Sequence, residues 1–322
     1  MDVKDLTGLG SAFEKLIETV AAGIGRVSRS YFSRKDVNTG AYKIAAMAEA
    51  LDSVAEKYGM AVAYTGDGVE LRKEPTARQV AEVLPCGERI NERIKYTEQR
   101  RQENIEAVTS SAAEDLLGKS ASEEKVEEDW IRRFFEYAQD VSSEQMQQLW
   151  GRILSGEVRA PGTYSLKTLD FMRNLSKTDA HVVERVAKAS LRIGGSYLLP
   201  WGGWAKDFPG IGFENLVQII DLGVISANLL SFSINETKNF SVVQRTHVLA
   251  CNAEQEKKLT LEVYKFTSLG VELLSLIEPE DDIIFLDLLG NHLKELGWIV
   301  CRGRIVEMAG NGQIKFNSER DF

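Results

Sequence analysis

Residues able to do chemistry are few in this chain, and they are scattered. His181, His247 and His292 are the only histidines, and none has a neighbouring His or Cys at metal-ligand spacing. Cys86, Cys251 and Cys301 show no paired spacing, which suits a reducing compartment better than a disulfide framework. Nothing beside Cys86 marks it as activated. A nucleophile elbow of the form Gly-x-Ser-x-Gly is absent, and no Lys-Ser or Lys-Thr follows Gly195 or Gly202-Gly203 as a phosphate loop requires. Asp129 and Glu157 are a candidate carboxylate pair for general acid–base work. The structural alternative is that Asp129 caps a helix while Glu157 neutralises Arg152 or Arg159. Two carboxylates become chemistry only inside a shaped, desolvated site, so the structural alternative is preferred. No catalytic residue, metal or cofactor is expected.

The elements that must position these groups centre on residues 128–180. Ser142 and Gln145 fit a capping box, and Met146, Leu149, Trp150, Ile153 and Leu154 then recur at helical spacing. Upstream, Trp130, Phe134 and Ala138 form another apolar stripe. Ser155-Gly156 ends the second helix and Pro161-Gly162 makes a turn. Ser165 caps a third helix through Leu166, Leu169, Met172 and Leu175, and Ser176 with Asp179 starts a fourth. The expectation is a compact central helical module over 126–193.

Those residues also carry a resemblance. The pattern D-W-x-x-R-F-F, then Q-D-V-S-S-E-x-M-Q-x-L-W, then G-E-x-x-x-P-G-x-Y-S-L-K-T-L resembles the core of an uncharacterised bacterial family, a domain of unknown function. It is more distantly similar to the Abi-alpha abortive-infection proteins. The signature residues are Asp129, Trp130, Arg133, Phe134, Trp150, Glu157, Pro161, Gly162, Ser165 and Thr168. Weaker echoes lie at Arg101, Gln102 and Asn104, and at Thr267, Leu269, Gly270 and Leu273. The resemblance implies a fold and a setting, phage defence, and brings no catalytic residues.

At 322 residues, with 27% charged residues and a net charge of -9, the chain reads as a soluble protein of several domains. That charge argues against indiscriminate coating of nucleic acid. No signal peptide or spanning segment is read, and the cytoplasm is the expected location. Residues 1–36 read as an amphipathic helix along Leu9, Phe13, Leu16, Val20 and Ile24. Its late bases Arg26, Arg29, Arg34 and Lys35 are candidates for peripheral contact with the inner membrane, and otherwise it is an ordinary packing helix. The polar seam of residues 87–117 offers it only a partial partner, so loose attachment or burial between protomers is expected.

Residues 37–118 are expected to be helical, with a helix over Tyr42–Tyr58, a hairpin turning at 65–68, a short helix opened by Pro75 and closed by Pro85, and a long charged helix over 87–117. Its roughly heptad seam, from Ile90 and Ile94 to Val108 and Leu116, has a polar middle. There Arg101, Gln102 and Asn104 either line a polar groove or sit on a solvated face. Residues 194–212 read as loop, with Trp201 and Trp204 open to stacking.

From 205 to 322 the period changes. Runs at Leu229–Ile234, Phe240–Ala250 and Leu259–Phe266, with helices opening at Thr267 and Asp282, resemble a winged helix. Further strands are read at 298–302, 304–308 and 313–316, with a turn at Asn311-Gly312. The fold class is thus mainly α with a smaller α+β part. The favoured function is a non-enzymatic bacterial defence or stress protein acting through regulated assembly, as a homo-oligomer or with a protein partner. The alternatives are a winged-helix DNA-binding regulator and an enzyme of unrecognised type. DNA binding requires Arg192, Arg245, Lys257, Lys258, Lys265, Arg302 and Arg304 to share one face.

Overall fold

The computed structural model describes residues 10–25, 60–65, 68–73, 86–205, 208, 210–309 and 313–322. The chain divides into two compact units, Met1–Tyr164 and Ser165–Phe322.

The first unit contains α1 (Gly10–Ile24), a hairpin of β1 (Met60–Thr65) and β2 (Gly68–Lys73), and three further helices. These are α2 (Cys86–Asp115), α3 (Glu128–Ala138) and α4 (Glu144–Arg159). The core forms where their apolar stripes meet: Leu16, Val20, Val108, Phe134, Trp150, Ile153 and Leu154 are fully buried. Trp130 stacks on Phe134 at 5.1 Å, and Trp150 leans on Phe134 at 5.3 Å. Helices α2 and α4 approach closely at Gly151, where a Cβ would lie 2.6 Å from that of Ser111. The described turns of α1 are packed within the first unit rather than loosely attached. Gly23 lies so close to α3 that a Cβ there would sit 2.1 Å from the Phe135 ring, and Lys15 donates to the carbonyls of Ser122 and Glu124. Small residues in that helix permit close packing on α3. Helix α4 begins at Glu144 after Ser143, whose side chain makes no cap bond, rather than at the box read from Ser142 and Gln145. The helices read over 42–58 and 75–85 lie outside the described residues.

The second unit begins with α5 (Leu166–Asn174) and α6 (Lys177–Lys188), where Ser176 accepts from Asp179 N as its cap. Then come β3 (Leu191–Ile193), β4 (Ser196–Pro200), α7 (Phe213–Asp221), β5 (Leu230–Val243) and β6 (His247–Lys265). The chain ends with α8 (Ser268–Ile277), α9 (Ile283–Glu295), β7 (Ile299–Met308) and β8 (Ile314–Asp321). Strand β3 pairs with β4 and β5, and β6 with β5 and β4, all antiparallel, so these four close into a small barrel. The other edge of β6, from His247 to Asn252, carries β7, and β7 carries β8. Leu259, Leu261 and Val263 point inward, as their alternation predicts.

This is not a winged helix. A wing is a short ribbon beside a helical trio, whereas here β5 and β6 run 14 and 19 residues inside a closed ring. The run read as one strand over Phe240–Ala250 is folded back at Gln244–Thr246, while polar stretches read as gaps are paired strand. The loop read at 194–212 starts with a hairpin, turned at Gly194 and Gly195 with φ of 55° and 84°. The T-x-x-G motif is a helix start: Thr267 accepts from Gly270 N, and a Cβ on Gly270 would meet the Val224 carbonyl at 2.1 Å. The turn at Asn311-Gly312 lies outside the described residues.

Candidate functional site

The signature residues fall into two groups, one in each unit. In the first unit they secure the turn that follows α4. Glu157, 2% exposed, accepts from Gly162 N at 2.6 Å and Tyr164 N at 3.0 Å. Trp130 Nε1 donates to the Tyr164 carbonyl at 2.7 Å, and Gly162 takes a left-handed φ of 84° after Pro161. Gly156 lets the Tyr164 ring approach, since a Cβ there would lie 2.6 Å from it. Asp129 is exposed in the first turn of α3, where a negative charge suits the helix dipole, and it takes no part in the Glu157 cluster. Arg133 reaches along its own helix to the Tyr137 hydroxyl at 3.4 Å. In the second unit, Glu272 of α8 caps α5. It accepts from Ser165 N at 2.7 Å, Ser165 Oγ at 3.0 Å and the buried Thr168 Oγ1 at 2.5 Å.

The residues read as a polar groove do not form one. Asn104 is buried and ties α2 to the α3–α4 connection, donating to the Gln139 carbonyl at 2.8 Å and accepting from Gln147 at 3.3 Å. Arg101 reaches the same connection through Asp140 at 3.1 Å, and that bond, with Glu98 beside it, raises its pKa. Gln102 turns to solvent and bonds Glu106 at 2.9 Å. Arg26, Arg29, Arg34 and Lys35 lie outside the described residues. His181 is exposed on α6, and Trp204 stacks on His292 at 5.4 Å, so both rings have surface or packing roles.

A partly enclosed arrangement with room for a ligand lies in the second unit and was not singled out from sequence. A cleft of about 370 Å³ opens between the β3–β4 hairpin, the β5–β6 turn and the segment after α8. Arg192 and Tyr197, directly paired across the hairpin, form one wall. Gln244 and Arg245 form another, and Ser275 to Asp281 the third. Glu278 ends α8 with a left-handed φ of 48°, a strained state for a residue with a Cβ. Arg245 holds it there, donating to its carbonyl at 2.6 Å and its carboxylate at 2.7 Å.

At the cleft rim Asp281 accepts from Arg245 N and Thr246 N, each at 2.8 Å, from Thr246 Oγ1, and from His247 Nδ1 at 2.6 Å. Burial alone would push its carboxyl up, yet the bonds from Thr246, His247 and the backbone together hold it below the usual carboxylate range. The other His247 nitrogen faces Glu319 at 3.5 Å, a carboxylate rather than a hydroxyl or thiol nucleophile. Burial pushes the Cys251 thiol up to about 12. No group of three or more metal-ligating side chains occurs among the described residues.

Of the seven cations named for a nucleic-acid face, three are engaged within the unit: Arg245 with Glu278, Lys257 with a backbone carbonyl and Arg302 with Asp287. Arg302 and Arg320 both bond Asp287. Lys257 donates to the Leu296 carbonyl at 3.0 Å and lies 4.5 Å from the Trp298 ring centre. No described helix is long and apolar enough to cross a membrane.

No curated protein and no solved structure matches the chain. A family model described as a protein of unknown function, DUF2806, matches residues 88–201 and 207–290, taking in both signature clusters and most of the cleft. Since that match covers more than half of the sequence, the chain belongs to the DUF2806 family.

Proposed function

We propose that the protein works by regulated assembly rather than by catalysis, in a bacterial defence or stress response. The observation that carries this reading is the first half of α2. Ile90 and Ile94 are 42% and 52% exposed, while the same seam further along, at Ile105, Val108 and Ala112, is core. The helix therefore presents an apolar stripe beyond the module that anchors it. A second copy of α2 is the occupant that its charges fit. With Ile90 and Ile94 at adjacent d and a positions, Arg93 falls at g and Glu98, which shares its charge with Arg101 at 3.1 Å, at the next e. A parallel pair sets each Arg93 against the other copy's Glu98, whereas an antiparallel pair sets arginines together. The seam is short, so the pair is weak and responds to concentration or to a cue.

The similarity of the signature core to abortive-infection proteins supplies the setting. The described turns of α1 are packed within the first unit, which supports a reading in which α2 rather than α1 carries the assembly surface. Sedimentation of the intact protein over a wide concentration range should show reversible dimers. The Ile90→Asp, Ile94→Asp variant should remain monomeric with an unchanged circular dichroism spectrum, and cells carrying it should lose protection in a phage challenge. A chain that stays monomeric throughout, or a variant that protects as well as the parent, would sink the reading.

A further inference from the structure

The charge inventory of the second-unit cleft identifies what could occupy it. Six charged side chains line it: Lys188, Arg192, Arg245, Glu278, Glu280 and Asp281. Lys188 is paired with Glu184 at 3.0 Å and Arg245 with Glu278 at 2.7 Å. Asp281 is filled by the β5–β6 turn. That leaves one group of each sign. Arg192 meets only the Met308 sulfur, at 3.1 Å, and neither it nor Glu280 has an ionic partner among the described residues.

A third group in the same wall is also unspent. Gln244 is 7% exposed, and its Nε2 donates to the Lys188 carbonyl at 2.9 Å. That bond fixes which end of the amide is which, and the buried Oε1 has no hydrogen-bond partner. A buried acceptor left unmet is costly, on the order of 1–3 kcal/mol, so such a group calls for a donor. The remaining lining is mostly apolar, with Leu274, Pro279 and Met308 prominent, and adds the hydroxyl residues Ser190, Tyr197 and Ser275.

We propose that this cleft binds a small zwitterion of the amino-acid class. The carboxylate takes the Arg192 guanidinium in a two-pronged bond. The ammonium has three N–H donors and takes the Glu280 carboxylate, and Gln244 Oε1, sealed from solvent in the free protein, becomes its second acceptor when the amide swings toward the cleft. The side chain lies against Leu274 and Pro279. One unspent charge of each sign disfavours a polyanion such as a nucleoside triphosphate, because Glu280 repels the extra negative charge. The volume is at the lower end of the range for small-molecule sites, about 300–1,000 Å³. This inference does not rest on the assembly reading.

The test is calorimetric titration of the intact protein with glycine, leucine, phenylalanine and the dipeptide glycyl-leucine. Parallel titrations use N-acetyl-leucine, which lacks the ammonium, and leucinamide, which lacks the carboxylate. At least one free zwitterion should bind, and each blocked form should bind at least ten-fold more weakly. Arg192→Ala should remove the preference for leucine over leucinamide, and Glu280→Gln should weaken the preference over N-acetyl-leucine. Both positions are exposed, so the variants should fold normally, which a melting curve checks. Whether the amino acid or the dipeptide binds more tightly distinguishes a free metabolite from a peptide source. The proposal is overturned if no zwitterion binds at millimolar concentration, if a blocked form binds as well as the free one, or if Arg192→Ala leaves the discrimination intact.

Discussion

In residues 1–164 several buried polar side chains are turned to the backbone, while Ser110 Oγ and Trp150 Nε1 stay buried inside the helical core without a partner among the described residues. Glu157 holds two N–H groups of one turn, Asn104 and Gln147 hold the α3–α4 connection, and Trp130 holds the Tyr164 carbonyl. In residues 165–322 the same economy prevails at Glu272 and Asp281, yet beside Asp281 a cleft keeps a guanidinium, a carboxylate and an amide oxygen unspent. Satisfied buried polar groups rigidify a structure; an unsatisfied one in the wall of a cleft lies within a ligand's reach, whereas one inside a core, such as Trp150 Nε1, does not. The difference teaches that a sequence signature can mark joinery, and that the reactive surface can lie where no signature stands out.

The contrast can be broken most directly at the core of the first unit. Trp150→Ala should lower stability by about 3–5 kcal/mol in urea denaturation followed by circular dichroism, since the side chain is wholly buried. An unchanged midpoint would mean the helical stripe is not the core.

Next comes the joinery. Glu157→Ala leaves two N–H groups of the 160–164 turn without an acceptor and should cost about 2–3 kcal/mol in the same assay. If Glu157 were instead an acid–base group in a solvated site, its removal would leave the midpoint in place.

The smallest effect, and the one that sharpens the contrast, concerns pH. Asp281 has its folded pKa lowered, so its contribution is present above the unfolded value of about 3.9 and disappears as pH falls through the lower folded value. Asp281→Asn should therefore destabilise the protein near neutrality, and the gap from the parent should narrow on acidification. A gap that is constant with pH would show that the carboxylate's charge is not what holds Thr246 and His247.

How much of this was readable beforehand follows from the range of the interactions. The helices of 128–188 announce themselves because a stripe such as Trp130–Phe134–Ala138 and a cap such as Ser176–Asp179 act within a few residues. The turn role of Pro161-Gly162 was legible for the same reason, but not that Glu157 reaches forward to hold it. The barrel was misread because closure joins Arg192 to Val243 and Leu198 to Lys265, pairings that no local period encodes. Strand β3 is three residues long, too short to show an alternation, and the outer stretch of β6 is polar on both faces. The cleft was invisible for the same reason: Arg192, Gln244 and Glu280 meet only when that ring is closed. A helix opening at Asp282 was legible, and Asp282 does cap α9 by accepting from Phe285 N at 3.0 Å. Its neighbour Asp281 gave no separate signal.

The closed ring also has a consequence for how the chain reaches its fold. Hairpins β3–β4, β5–β6 and β7–β8 can each form from neighbouring residues, but the two seams that join β3 to β5 and β4 to β6 require long loops to close first. Until they do, the hairpins carry open edges with unmet N–H and C=O groups. At high concentration those edges can also take the matching hairpin of another newly made chain, although their own lies at a higher effective concentration. Ring closure should therefore be the stage of folding most sensitive to concentration, with a strand-exchanged dimer as the product to look for in refolding at rising concentration.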